Sequence, residues 1–86
     1  MKPYGVEFAQ STHRELRRLP AKIVQRIMEA IDQLQDDPRP RGCKKLAGEF
    51  VTFRIRVGDY RIVYQIDDAE SKILITRVRH RKDVYQ

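Results

Sequence analysis

Apolar residues recur with a period of two at both ends of this chain and with a helical period between them. Tyr4, Val6 and Phe8 alternate with Gly5 and Glu7, which predicts a short opening strand with one buried face. Thr12-His13-Arg14-Glu15 has the spacing of a capping box, in which a hydroxyl and a carboxylate satisfy the first free amides of a helix. A short helix is expected from there, with Leu16 and Leu19 apolar and Pro20 ending it while suiting the start of the next. Ile23, Val24, Ile27, Met28, Ile31 and Leu34 then recur every three or four residues and stop before Asp36-Asp37-Pro38. The stripe reads as core packing rather than a dimer seam. The two helices should form a hairpin that covers one side of a sheet.

Residues 38–49, with Pro38, Pro40, Gly42 and Gly48, read as a long connection. Beyond it the period is two. Val51, Phe53, Ile55 and Val57 point one way, and Thr52, Arg54 and Arg56 point the other. Gly58-Asp59 is a two-residue hairpin signal with glycine at the first central position. The next strand sets Tyr60, Ile62, Tyr64 and Ile66 against Arg61, Val63 and Gln65. A polar turn over 67–71 leads to a last strand from about Lys72 to Arg79, apolar on both faces at Ile73-Leu74-Ile75 as suits an interior position. The fold class is therefore α+β: one domain over 1–86, with an N-terminal strand, a helix hairpin and a three-stranded antiparallel meander. The helices pack on one face of a four-stranded sheet.

Composition narrows the function classes. The chain has 86 residues, 41% hydrophobic and 35% charged, with no apolar run near the roughly 20 residues of a membrane span. The segment MKPYGVEFAQ has no apolar h-region, so a cytoplasmic protein is expected. Cys43, the single cysteine, excludes an internal disulfide and a cysteine-built metal site, and reads as a plain reduced thiol. The net charge of +6 lies wholly in the second half: residues 1–38 hold six basic and six acidic residues, and residues 39–86 hold twelve basic and six acidic. That asymmetry points to a phosphate-bearing partner.

A two-residue turn at Gly58-Asp59 sets Arg56 opposite Arg61 and Arg54 opposite Val63. A like-charge cross-strand pair costs a few tenths to about 1 kcal/mol, so stability does not explain it, whereas an anion between two guanidinium forks does. If Leu74, Thr76 and Val78 face the helices, Arg77, Arg79 and Arg81 join the same side. Lys44, Lys45 and Lys82 extend the cationic set. No metal ligand cluster, glycine-rich phosphate loop or nucleophile elbow is present in the sequence, and no cofactor is implied. What remains is metal-free phosphate chemistry, in which an RNA 2′-hydroxyl attacks its neighbouring phosphate while arginines hold the growing charge. His80 is either an exposed histidine or a proton-transfer group, and Tyr85 can stack on a base or shuttle a proton.

Two segments, Arg54-Ile55-Arg56-Val57-Gly58-Asp59-Tyr60-Arg61-Ile62-Val63-Tyr64 and Val78-Arg79-His80-Arg81-Lys82-Asp83-Val84-Tyr85, resemble the RelE/ParE superfamily of bacterial and archaeal toxins. The order of elements agrees along nearly the whole chain. The resemblance implies a RelE-like microbial RNase fold and the toxin of a type II toxin–antitoxin system. In the RelE-like branch this is a ribosome-dependent endoribonuclease (mRNA interferase) that inhibits translation by cleaving mRNA in the A site. The ParE-like branch inhibits DNA gyrase without catalysis. By similarity the nuclease's functional positions fall on Arg54, Arg56, Arg61, Arg81 and Tyr85. Lysine is familiar where Arg54 and Arg56 stand, glycine where Arg79 stands, and some relatives carry a C-terminal helix beyond the position of Gln86. Implied partners are a RelB-like antitoxin, in a heterotetramer among other assemblies, and the ribosome with its 16S rRNA and mRNA.

Overall fold

A computed structural model describes residues 3–46 and 52–84, without the side chains of residues 83 and 84. Val51 and Tyr85 lie outside the described residues. Chain order runs β1 (Gly5–Phe8), α1 (Gln10–Arg17), α2 (Ala21–Asp36), β2 (Lys44–Leu46), β3 (Thr52–Val57), β4 (Tyr60–Asp67), β5 (Lys72–His80) and a last turn of helix, α3 (Arg81–Val84). Among the described residues the strands form one sheet in the order β1-β5-β4-β3-β2. The expected meander is β3-β4-β5, with β1 added parallel to β5. The sheet has a fifth strand that the pattern does not predict. Lys44–Leu46 pairs with Thr52–Arg54, and a strand of three residues is too short to show a period.

The core lies between α2 and one face of the sheet. Ile27, Ile31 and Leu34 meet Phe53, Ile62, Tyr64, Ile66, Ile73, Ile75 and Val78. Each fully buried isoleucine contributes about 1.5–3 kcal/mol relative to exposure. Met28, counted in the helical stripe, is instead 41% exposed, on the flank of the buried 27–31–34 line.

Two sequence expectations fail at instructive places. The first is the capping box. Helix α1 begins at Gln10 behind Ala9, two residues before Thr12, and has no side-chain cap. Thr12 is fully buried and its hydroxyl donates 2.9 Å to the carbonyl of Ile75. Glu15 Oε1 accepts from the amide of Val78 at 2.8 Å. Strand β1 pairs with β5 only as far as Phe8 and Ile75, so the rest of that β5 edge would be open. Helix α1 closes it with two side chains three residues apart on one face, the same spacing a capping box needs.

The second is the last strand. Pairing with β4 slips by one residue between Val63 and Tyr64, so Ile75 faces Tyr64 and Arg77 faces Val63, with Thr76 as the extra residue. The Thr76 hydroxyl donates 3.1 Å to the Val63 carbonyl. Leu74 therefore does not face the helices as expected. Ile73 and Ile75 do, and the slip restores Val78 to the core.

The end of the molecule at the β4–β5 turn is tied by side chains. Tyr64 donates from its buried phenol to the Pro38 carbonyl at 2.8 Å, and burial pushes that phenol's pKa up. Arg39 pairs with Asp68 at 2.9 Å and lies over the Phe53 ring, while Tyr4 donates 2.6 Å to Asp68. Arg39 first, and then Tyr4, hold the Asp68 carboxyl below its usual value. This tie therefore contributes above the pH at which an unfolded aspartate ionises, and weakens as pH falls through the depressed value. Tyr64→Phe keeps the packing but leaves a buried carbonyl unsatisfied, with an expected loss of about 1–3 kcal/mol in urea unfolding. An unchanged midpoint would show that the bond carries no weight.

Candidate nucleic-acid interface

Strand alternation together with the slip at Thr76 decides which side chains meet on the face that carries no helix. Register places Arg56, Arg61 and Arg79 side by side across β3, β4 and β5. One step along the strands, Lys44, Arg54, Val63 and Arg77 form a second row across β2 to β5. A groove of about 260 Å3 lies over part of these rows, lined by Gly42, Lys44, Arg54, Ile55, Arg56 and Arg61. Among the described residues its lining has four cationic side chains and no acid. Arg61 is only 6% exposed, while Arg56 and Arg77 are exposed and Arg54 is intermediate. Aligned like charges on adjacent strands repel, so the arrangement favours an anion that accepts from several guanidinium groups at once.

The hairpin that sets the register has the conformation its sequence predicts. Gly58 has φ +59° and Asp59 does not share the positive φ, as a turn with glycine first requires. Asp59 also anchors the chain after β5. The amide of Arg81 donates 2.7 Å to the Asp59 carbonyl, and Arg81 Nε lies 4.0 Å from the Asp59 carboxylate. Arg81 thus sits at the hairpin end of the arginine row, exposed to solvent. Lys82 is exposed beside it, and Lys45 is exposed on β2 on the opposite side of the strand from Lys44.

The residues named from the sequence do not all converge. Arg54, Arg56, Arg61, Arg77 and Arg79 share the open face, and Lys44 joins them. Arg79 is partly committed, because its Nε donates 2.8 Å to Glu15 Oε2. His80 stands opposite Tyr60, and Tyr60 packs on the core, so His80 lies on the helix side of the sheet. Its ring meets Tyr60 edge-on at 5.2 Å, and its Nδ1 accepts from the Lys82 amide. Together with Glu15, Arg18, Leu19, Tyr60, Val78 and Arg79 it lines a cavity of about 460 Å3. Glu15 is the residue that sequence reasoning missed here; its signal, the three-residue spacing from Thr12, was visible but admitted another reading. Among the described residues no three His, Cys, Asp or Glu side chains converge as a metal site, and no helix is long and apolar enough to cross a membrane.

Helices cover one face of this sheet and arginines line the other, and comparison with known proteins gives its family. The chain belongs to the RelE/ParE superfamily: residues 6–85 match the family model of the ParE toxin of type II toxin–antitoxin systems. Toxin RelG of Mycobacterium tuberculosis is 39% identical over 88 residues, covering 98% of each chain. Among solved structures, the RelBE2 toxin–antitoxin complex of Mycobacterium tuberculosis matches at 39% identity and a TM-score of 0.78, over 91% of this chain and 98% of that one. The RelE–RelB complex of Pyrococcus horikoshii matches at 27% identity and a TM-score of 0.79, over 92% and 96%. The protein is a RelE-like toxin of a type II toxin–antitoxin system.

Glu15→Ala removes the acceptor of the Val78 amide and the partner of Arg79 together. Thermal unfolding should show a loss of about 1–3 kcal/mol, and Glu15→Gln should lose less. Equal, negligible losses in both would mean that the β5 edge is held by other contacts.

Proposed function

We propose that this toxin is an endoribonuclease that cuts mRNA in the ribosomal A site without a metal ion. The observation that carries the reading is the groove lined by the cationic side chains of Lys44, Arg54, Arg56 and Arg61, with Arg81 at its hairpin end. The RNA 2′-oxygen forms a bond to the adjacent phosphorus while the bond from phosphorus to the 5′ oxygen breaks. The products are a 2′,3′-cyclic phosphate and a free 5′-hydroxyl. Negative charge grows on the two non-bridging oxygens, where Arg56, Arg61 and Arg81 act as donors, and preorganised donors of this kind are worth several kcal/mol. Arg54, Arg77 and Lys44 position the flanking phosphates, with Arg79, Lys45 and Lys82 adding to the field. Arginine keeps its proton, so these residues clamp rather than deprotonate. Tyr85 is assigned to base stacking or proton transfer. His80, on the other side of the sheet, is left out of the chemistry.

A RelB-like antitoxin is the proposed partner in neutral storage, supported by the RelB-bound structures of the relatives. It would cover the basic face, with a heterotetramer as one assembly. The family model bears the ParE name, so inhibition of DNA gyrase is the rival activity.

Primer extension on translated mRNA after induction should reveal breaks within codons. Arg61→Ala should reduce cleavage by about 10²–10³-fold while keeping the fold, and Arg81→Ala should also reduce it. His80→Ala should stay within a few-fold of wild type. Intact message in arrested cells, with loss of gyrase supercoiling, would transfer the protein to the rival class.

A further inference from the structure

The open face changes character along its strands. At the hairpin end the row Arg56, Arg61 and Arg79 is wholly cationic, and the next row, Lys44, Arg54, Val63 and Arg77, has one apolar position. One step further, register sets Leu46, Thr52, Gln65, Leu74 and Glu7 side by side across the sheet. That third row has a charge only at its β1 end, where Glu7 lies 3.6 Å from Lys72. The cationic character of the face thus stops short of Gln65.

Gln65 stands at the centre of the third row, on the middle strand β4, half-buried between Thr52 on β3 and Leu74 on β5. Its amide is uncommitted: among the described residues no hydrogen bond or ion pair engages it. Gln35, also half-buried, shows the usual arrangement, with its amide donating 2.8 Å to the Tyr4 carbonyl. Stability gives no reason for glutamine at position 65. Its neighbours on this face are Val63 and Leu74, and strands favour β-branched or aromatic side chains over an amide.

Distance separates Gln65 from the cutting chemistry. It lies four residues along β4 from Arg61, which at about 3.3 Å per residue is roughly 13 Å. The amide is therefore out of reach of a phosphate held at Arg61. It is in reach of a base on a nearby nucleotide, if the RNA runs along the strands and Lys44, Arg54 and Arg77 hold the backbone in between. Val63 and Leu74 offer apolar surface to the plane of such a base. The amide itself presents N–H donors and a carbonyl acceptor on one planar end, which suits two adjacent atoms of a base edge.

We propose that Gln65 is a specificity-determining residue of this toxin, which reads one unpaired base near the cut and favours adenine. The adenine N6 amine donates to the amide carbonyl while N7 accepts from the amide N–H. The inference rests on the nuclease reading and adds how the site chooses where to cut. The arginine rows hold any sequence alike, because a phosphate carries no base identity. The third row supplies the discrimination they lack.

The test uses the full-length protein on a translated message with randomised codons, whose new 5′ ends are sequenced after cutting. Wild type should enrich adenine about 5–100-fold at one fixed distance from the cut, the discrimination expected of one bidentate amide–base pair. Gln65→Ala should abolish that enrichment by slowing cleavage at adenine-bearing sites, while rates at the other sites stay within about twofold. Gln65→Glu keeps the size and the acceptor but loses the donor, so the preference should move to cytosine, whose N4 amine a carboxylate accepts. Both variants should keep the wild-type thermal midpoint. A wild-type profile without adenine enrichment, equal slowing at all sites, or one profile shared by all three proteins would each overturn the proposal and leave the nuclease reading standing. A wild type that leaves every message whole would fail the nuclease reading itself, and this inference with it.

Discussion

A strand of strict alternation would send Arg77 and Arg79 into the same core as Ile73 and Ile75, and two buried unpaired guanidinium groups would cost more than this core supplies. The extra residue at Thr76 prevents it. With one step on β4 matched by two on β5, the parity of the strand reverses, Val78 returns to the core beside Ile62, and Arg77 and Arg79 emerge on the open face. Arg79 joins the Arg56–Arg61 pair in one row only because of that slip. So does the position of His80, which the same parity sends to the helix side. Bulges next to functional sites commonly re-aim side chains in this way.

The slip has a consequence at the sheet's edge, which α1 meets. Strand β1 is too short to follow β5 past the bulge, and Thr12 and Glu15 supply the hydrogen bonds that further strand pairing would have made. Glu15 then takes a second partner in Arg79. The charge at one end of the arginine row is thereby moderated, while the described lining of the groove over Lys44, Arg54, Arg56 and Arg61 holds no acid. A phosphate entering that groove relieves repulsion already present in the folded protein, which is the physical reason to expect tight binding there.

Much of this was legible in the sequence where period and turn chemistry agree. Gly58-Asp59 fixed the hairpin, and the pairing of Arg56 with Arg61 followed from it residue for residue. The helix hairpin and the meander were equally plain. The failures have physical causes. Thr12 and Glu15 share a helix face whether they cap or dock, so spacing alone does not separate the two. Strand β2 is too short for a period. The reversal at Thr76 is written in the chain as apolar residues at 73 and 75 giving way to Val78, yet a run with Leu74 between them hides the change.

The central claim is that the open face, where the hairpin register sets Arg54, Arg56 and Arg61 and the Thr76 slip adds Arg77 and Arg79, holds the RNA to be cut. Titration of isotope-labelled protein with a short RNA carrying a single 2′-deoxy nucleotide tests it directly by nuclear magnetic resonance, because the missing hydroxyl blocks attack at that position. The predicted result is a set of shifts confined to Lys44, Arg54, Arg56, Arg61 and Arg77 and their strand neighbours, lost in Arg61→Ala. Shifts restricted to the helices, or none at all, would contradict the account.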